Sequence, residues 1–213
     1  MATTARTHCS TTLILMAGLI LALASPVHAM VVDYVVSLNT GVLMGTSGFL
    51  DLQFNPGTIP GTPEAEAAIS LFSGDAVLKN TGPTNGTGLV TGALPGDLVF
   101  GNGTPFNSFF QEMTFGSSTS FHVNFSGAFL TALSGSHSAF SVSLYDADGI
   151  TPLLTTDASG ALMIFDLAPG GEIASMIFNP SVVTVAAVPL PAAAVLFPTG
   201  LSLFAIARRA LHE

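Results

Sequence analysis

Residues 120–126 read "SFHVNFS". Phe121, Val123 and Phe125 fall on one side of an extended chain, and His122, Asn124 and Ser126 on the other. An apolar residue at every second position, drawn from β-branched and aromatic types, is the mark of a half-buried strand. The pattern recurs in "AFSVSLYD" (139–146), with Phe140, Val142 and Leu144 inward and Ser141, Ser143 and Tyr145 outward. It recurs again in "GFLDLQFN" (48–55), where Leu50, Leu52 and Phe54 oppose Phe49, Asp51 and Gln53. Runs near 32–39, 67–73, 76–79, 97–100, 107–115, 161–167, 173–178 and 182–186 read the same way, with Gly, Pro, Asn and Asp between them. "TPEAEAAISLF" (62–72) is the one candidate for a helical turn. About ten strands without long helices predict an all-β body, a single jelly-roll-like antiparallel β-sandwich. Its outward positions are Ser, Thr, Asn and Gly, so neutral hydroxyls and amides solvate it.

That outer chemistry explains part of an unusual composition. Of 213 residues, 49% are hydrophobic and 8% charged, against about 25% charged in ordinary soluble domains. The remaining apolar excess lies at the two ends. The first 29 residues carry Arg6 in a short polar lead, an apolar run Leu13–Leu23, and small residues at Val27 and Ala29. That run is too short for a bilayer span of ~20 residues. It predicts a signal peptide over 1–29, removed by signal peptidase after Ala29. Cys9, the chain's only cysteine, precedes the run, so the mature chain is expected to lack disulfides and thiol chemistry. The body, 30–187, is long enough to hold itself by one core.

Lys79 is the only Lys or Arg in that body, against every acidic residue of the chain except Glu213. Neutralising phosphates requires Lys and Arg, and so does attraction to anionic lipid surfaces. Nucleic acid is excluded as a partner of the body, and so is an anionic membrane surface.

The last segment, 188–213, is "VPLPAAAVLFPTGLSLFAIARRALHE". From Val188 to Ala207 there are about 20 residues without charge, enough for one membrane helix. Arg208 and Arg209 follow at once and mark the cytoplasmic side, while the leader sends the body outward. The plain reading is a C-terminal anchor. Val188-Pro189-Leu190-Pro191-Ala192, an apolar helix and a terminal Arg pair, in that order, resemble the PEP-CTERM sorting signal in its VPLPA variant. The resemblance implies recognition and removal of the tail by an exosortase, an integral-membrane cysteine transpeptidase. It also implies a Gram-negative bacterium that makes exopolysaccharide. The body would be held transiently at the inner membrane, on the periplasmic side, and then delivered to the cell surface or extracellular matrix. "GFLDLQFNPG" (48–57), "FNSFFQEMTFG" (106–116) and "SVSLYDADG" (141–149) together resemble a β-rich body found on short proteins of that group, which brings no known activity.

Catalytic chemistry finds little footing. There is no G-x-S-x-G elbow, and the body's histidines are only His122 and His137. His122 reads as a solvent-facing strand residue, and His137 as part of a turn before the strand at Phe140. Two histidines without cysteine do not make a zinc site. A carboxylate pair for glycoside hydrolysis is open on residue counts. Without Trp, and with only Tyr34 and Tyr145 as polar-tipped aromatics, sugar stacking is disfavoured. The best local constellation is Asp146-Ala147-Asp148-Gly149 with Asp157. Its spacing falls short of an EF-hand loop, and Asp148-Gly149 suits a hairpin turn. The turn is the preferred reading and weak calcium binding its alternative; no other cofactor is expected. The expectation is a secreted, non-enzymatic surface or exopolysaccharide-matrix protein, with a carbohydrate- or calcium-binding module as the rival.

Overall fold

The computed structural model describes residues 32–189. Thirteen strands account for it: β1 Val32–Asn39, β2 Ser47–Pro56, β3 Glu66–Gly74, β4 Val77–Leu78, β5 Gly86–Thr87, β6 Val90–Gly92 and β7 Leu98–Gly101. β8 Ser108–Thr114, β9 Ser118–Ser126, β10 Ser138–Asp146, β11 Ala161–Leu167, β12 Ile173–Ile177 and β13 Val183–Ala187 complete the set. Three single 3₁₀ turns interrupt them at Gly41–Leu43, Pro83–Asn85 and Ala128–Leu130, and the described residues contain no α-helix.

The strands form two antiparallel sheets. The first runs β13-β1-β9-β3-β7-β6, and the second runs β12-β11-β10-β2-β8-β4 with β5 also on β8. The pairings β4·β8, β3·β9 and β2·β10 are nested around the β6·β7 hairpin and alternate between sheets. That is a long hairpin wound across two layers. β1, β11, β12 and β13 extend the layers at their edges.

Period two sets which side chains are buried. Val36 and Leu38 of β1, Phe121, Val123 and Phe125 of β9, and Ala67 and Ile69 of β3 point from the first sheet into the core. Leu50, Leu52 and Phe54 of β2, Phe140, Val142 and Leu144 of β10, and Met163, Phe165 and Leu167 of β11 meet them from the second. Phe125 is the hub. Its ring lies 5.3 Å from that of Phe165, 5.9 Å from Phe140 and 6.3 Å from Phe54, with edge contacts to the first two. Each large apolar side chain taken fully from water contributes about 1.5–3 kcal/mol. With no cysteine among residues 32–189, this phenylalanine-rich layer holds the two sheets together.

The sequence expectation and the structure part company in places. The strand read at 67–73 is β3, but the helical turn offered for "TPEAEAAISLF" does not form: Ala65, Ala67 and Ile69 alternate into the core and the segment pairs with β7 and β9. Small alanines tolerate either geometry, and the neighbouring strands decide it. β5 and β6 are short, Gly- and Thr-containing pieces with too few apolar positions to carry a period.

Candidate functional site

The outer face of the second sheet carries the densest polar arrangement among the described residues. On β2, the residues opposite Leu50, Leu52 and Phe54 are Phe49, Asp51, Gln53 and Asn55. Asp51 is only 4% exposed although it points away from the core. Its register partners are Phe110 on β8 and Ser143 on β10. Ser108 Oγ donates to Asp51 Oδ1 (2.7 Å) and Gln53 Nε2 donates to Asp51 Oδ2 (2.5 Å). Asn55 Nδ2 donates to Gln53 Oε1 (3.1 Å), and Asn55 Oδ1 accepts from the backbone N–H of Asn107 (2.7 Å). The result is a hydrogen-bonded strip, Ser108–Asp51–Gln53–Asn55–Asn107, that runs along β2 and is closed at both ends by the start of β8.

Aromatic rings wall one end of the strip. Phe49 and Phe110 stack at 4.5 Å with an interplanar angle of 16°, and Tyr145 lies 6.0 Å from Phe110. Burial pushes the Asp51 carboxyl above its ordinary range, against the donors from Gln53 and Ser108, which pull it down. Burial also raises the Tyr145 phenol, and the nearby Asp51 charge adds to that rise. At the other end of this face, His137 Nδ1 meets Asp166 Oδ2 at 2.8 Å. No serine or threonine hydroxyl is hydrogen-bonded to the His137 ring among the described residues.

The first sheet offers a flatter surface. His122 Nδ1 meets Asp33 Oδ2 at 3.2 Å, and the other oxygen of Asp33 is buried without a hydrogen-bond partner. Ser37 and Ser120 share a hydroxyl contact of 3.0 Å beside it. An apolar cleft of about 430 Å³ opens between β3 and β4, lined by Phe72, Ala76, Val77, Leu78, Thr81 and Pro95. None of its lining residues is ionisable.

The calcium candidates are each committed to their own turn. Asp146 Oδ1 accepts from the N–H of Ala147. Asp148 Oδ1 accepts from the N–H groups of Ile150 and Thr151, and its Oδ2 from the Thr151 hydroxyl at 2.6 Å. Those donors hold the Asp148 carboxyl below the usual range, the hydroxyl contributing most. Asp157 accepts from the N–H and hydroxyl of Ser159. No group of three or more His, Cys, Asp or Glu side chains is placed to hold a metal among the described residues. Gly149 has φ 68°, the left-handed conformation that a turn of this kind asks of glycine. A Cβ there would lie 3.6 Å from the Phe110 ring and 3.7 Å from Phe49, so the turn folds down beside the stacked pair. A similar clamp operates at Asp75, which the N–H groups of Ser118 and Ser117 and the Ser117 hydroxyl hold at a pKa of about 2.

Of the sorting-motif residues, Val188 and Pro189 are described. Val188 still donates its N–H to the carbonyl of Asp33 (2.8 Å). Ala29, Leu190, Pro191, Ala192, Arg208 and Arg209 lie outside the described residues, as do the leader and the apolar tail. Among the described residues no helix is long and apolar enough to cross a membrane. Comparison of the chain with family models, with curated proteins and with solved structures returned no match.

The strip on β2 was only partly visible in the sequence. Asp51 and Gln53 read as outward-facing, but nothing in a single strand says that an outward carboxyl will be buried. Ser108 reaches Asp51 from a strand more than fifty residues further along the chain. The two histidine–carboxylate pairs are likewise products of strand pairing.

Proposed function

We propose that this is an exported, non-catalytic surface protein, a jelly-roll sandwich that an exosortase-type transpeptidase releases from the inner membrane into the surface or exopolysaccharide layer. The observation that carries this reading is where the last strand stops: β13 ends at Ala187, and the proline motif begins at the next residue. The last strand thus closes before the segment that the sorting reading removes. The nested β4·β8, β3·β9 and β2·β10 pairings support the jelly-roll assignment.

The test is the intact mass of the secreted form. The expected species begins at Met30 and lacks the apolar tail beyond the proline motif. A mature chain that keeps Arg208 and Arg209 points instead to a permanent anchor.

A second reading, a module for neutral polysaccharide, rests on the β2 strip. Gln53 and Asn55 are held in place by their neighbours and keep spare amide hydrogens, so binding hydroxyl groups would cost little ordering. Binding to a neutral glycan array, lost in Gln53→Ala with Asn55→Ala, is the result that would favour it.

A further inference from the structure

The proline motif leaves the sandwich without a spacer, and the strand before it is anchored unevenly. Among the described residues β13 is an edge strand, paired only with β1, in the register Leu38↔Val183, Ser37↔Thr184, Val36↔Val185, Val35↔Ala186 and Tyr34↔Ala187. At its start, Val182 and Val183 are buried in the core, and Asn39 donates its N–H to the Val182 carbonyl at 2.7 Å. Val185 is partly buried against the same core. Beyond it the side-chain anchoring thins: Ala186, Ala187 and Pro189 are exposed and Val188 is half-buried. What holds this last stretch is main-chain bonding to β1, ending with the Val188 N–H on Asp33.

An enzyme that cuts a chain in an extended conformation engages the main-chain groups of several residues before the cut. Here those residues are the end of β13, and β1 already occupies one edge of them. We infer that residues 186–188 form a releasable strap, which must peel from β1 before a processing enzyme can seat the proline motif. Val182 and Val183 stay docked meanwhile and keep the sandwich closed. This rests on the reading of the tail as a removable sorting signal. The distribution of side chains suits the task. Two exposed alanines and a half-buried Val188 bury little, so releasing them mainly breaks a few edge hydrogen bonds, whereas releasing Val183 would expose core.

The strap can be locked. Val35 and Ala186 are register partners, and hydrogen-bonded antiparallel partners lie about 5.5 Å apart in Cα, within disulfide range. The mature chain has no other cysteine to compete. In a host that carries the processing enzyme, the full-length chain with Val35→Cys and Ala186→Cys should lose its tail at least about tenfold more slowly than wild type. A flexible spacer inserted between Ala187 and Val188 should restore the wild-type rate in the locked chain. Equal processing of locked and wild-type chains would overturn the strap, and so would a locked chain that the spacer fails to rescue. A wild-type chain that keeps its tail would instead remove the sorting reading itself. Hydrogen exchange on the full chain gives an enzyme-free readout. The amides of Ala186 and Val188, which face β1 in the ladder, should exchange about a hundredfold faster than that of Thr184, and equal protection of the three would also overturn the proposal.

Discussion

On the outer face of the first sheet, Ser37 and Ser120 meet hydroxyl to hydroxyl at 3.0 Å, with His122 and Asn124 in line along β9. On the outer face of the second, a carboxylate lies 4% exposed under stacked phenylalanines, and Ser108 and Ser143 beside it are 7% and 4% exposed. Both faces belong to strands with the same period and feed the same core. The difference lies in what neighbouring strands and turns bring up. Large rings from β2, β8 and β10, with the Gly149 turn beside them, build a second buried layer on one sheet. On the other sheet Ser37, Ser120, His122 and Asn124 stay partly exposed, and one Asp33 oxygen is enclosed. A surface nearly free of Lys and Arg is thus solvated in one place and packed in another.

If that second layer is real packing, removing its ring should cost stability as a small core does. Phe110→Ala takes away the partner that stacks on Phe49 and stands opposite Asp51 in register. Full burial would make the cost about 3–5 kcal/mol; a half-buried ring should cost about 2 kcal/mol, which denaturant unfolding monitored by circular dichroism would measure. A cost below about 0.5 kcal/mol would make this face as passive as the other.

The same pair of faces shows what a single sequence can carry. The inward residues of "SFHVNFS", "AFSVSLYD" and "GFLDLQFN" all reach the core, because the two-residue period is a local property and burial follows it. The outward residues do not sort themselves. Asp51 and Asp33 occupy equivalent-looking outward positions, yet one is enclosed by hydrogen-bond donors and rings and the other pairs with His122. Ser108 lies 57 positions from Asp51 in the chain, and His122 lies 89 from Asp33. Asp148-Gly149 was legible as a turn because its chemistry is local: the carboxylate bonds residues two and three positions on, and the glycine supplies the positive φ.

A pH titration probes the same contrast with a smaller effect. The Asp51 pKa is raised in the folded state, mainly by burial. The fold therefore binds this proton more tightly than the unfolded chain does. Its contribution is full below the unfolded value of 3.8 and is lost as pH rises through the higher folded value. Asp51→Asn removes that dependence. Its melting temperature relative to wild type should climb by a few degrees, roughly, from pH 3.5 to pH 7. Two parallel curves would mean that the carboxyl is not desolvated.

The smallest effect belongs to the first sheet. Ser120 bonds Ser37 and also donates to the Val36 carbonyl at 3.1 Å, so Ser120→Ala deletes two hydrogen bonds at once. In a sealed interior that would strand a hydroxyl and a carbonyl at about 1–3 kcal/mol. Here Ser37 and Ser120 are only partly buried, so water can replace the lost partner. The Val36 carbonyl also faces β9 in the ladder, where Phe121 is its register partner. The expected change in unfolding free energy is within about 0.5 kcal/mol, the usual range for surface substitutions. A loss of 2 kcal/mol would show that the hydroxyl pair is sealed from water, and the first sheet would then carry a packed outer layer of its own. Such a result would erase the contrast between the faces, whereas a near-zero change beside a costly Phe110→Ala would fix it on the rings alone.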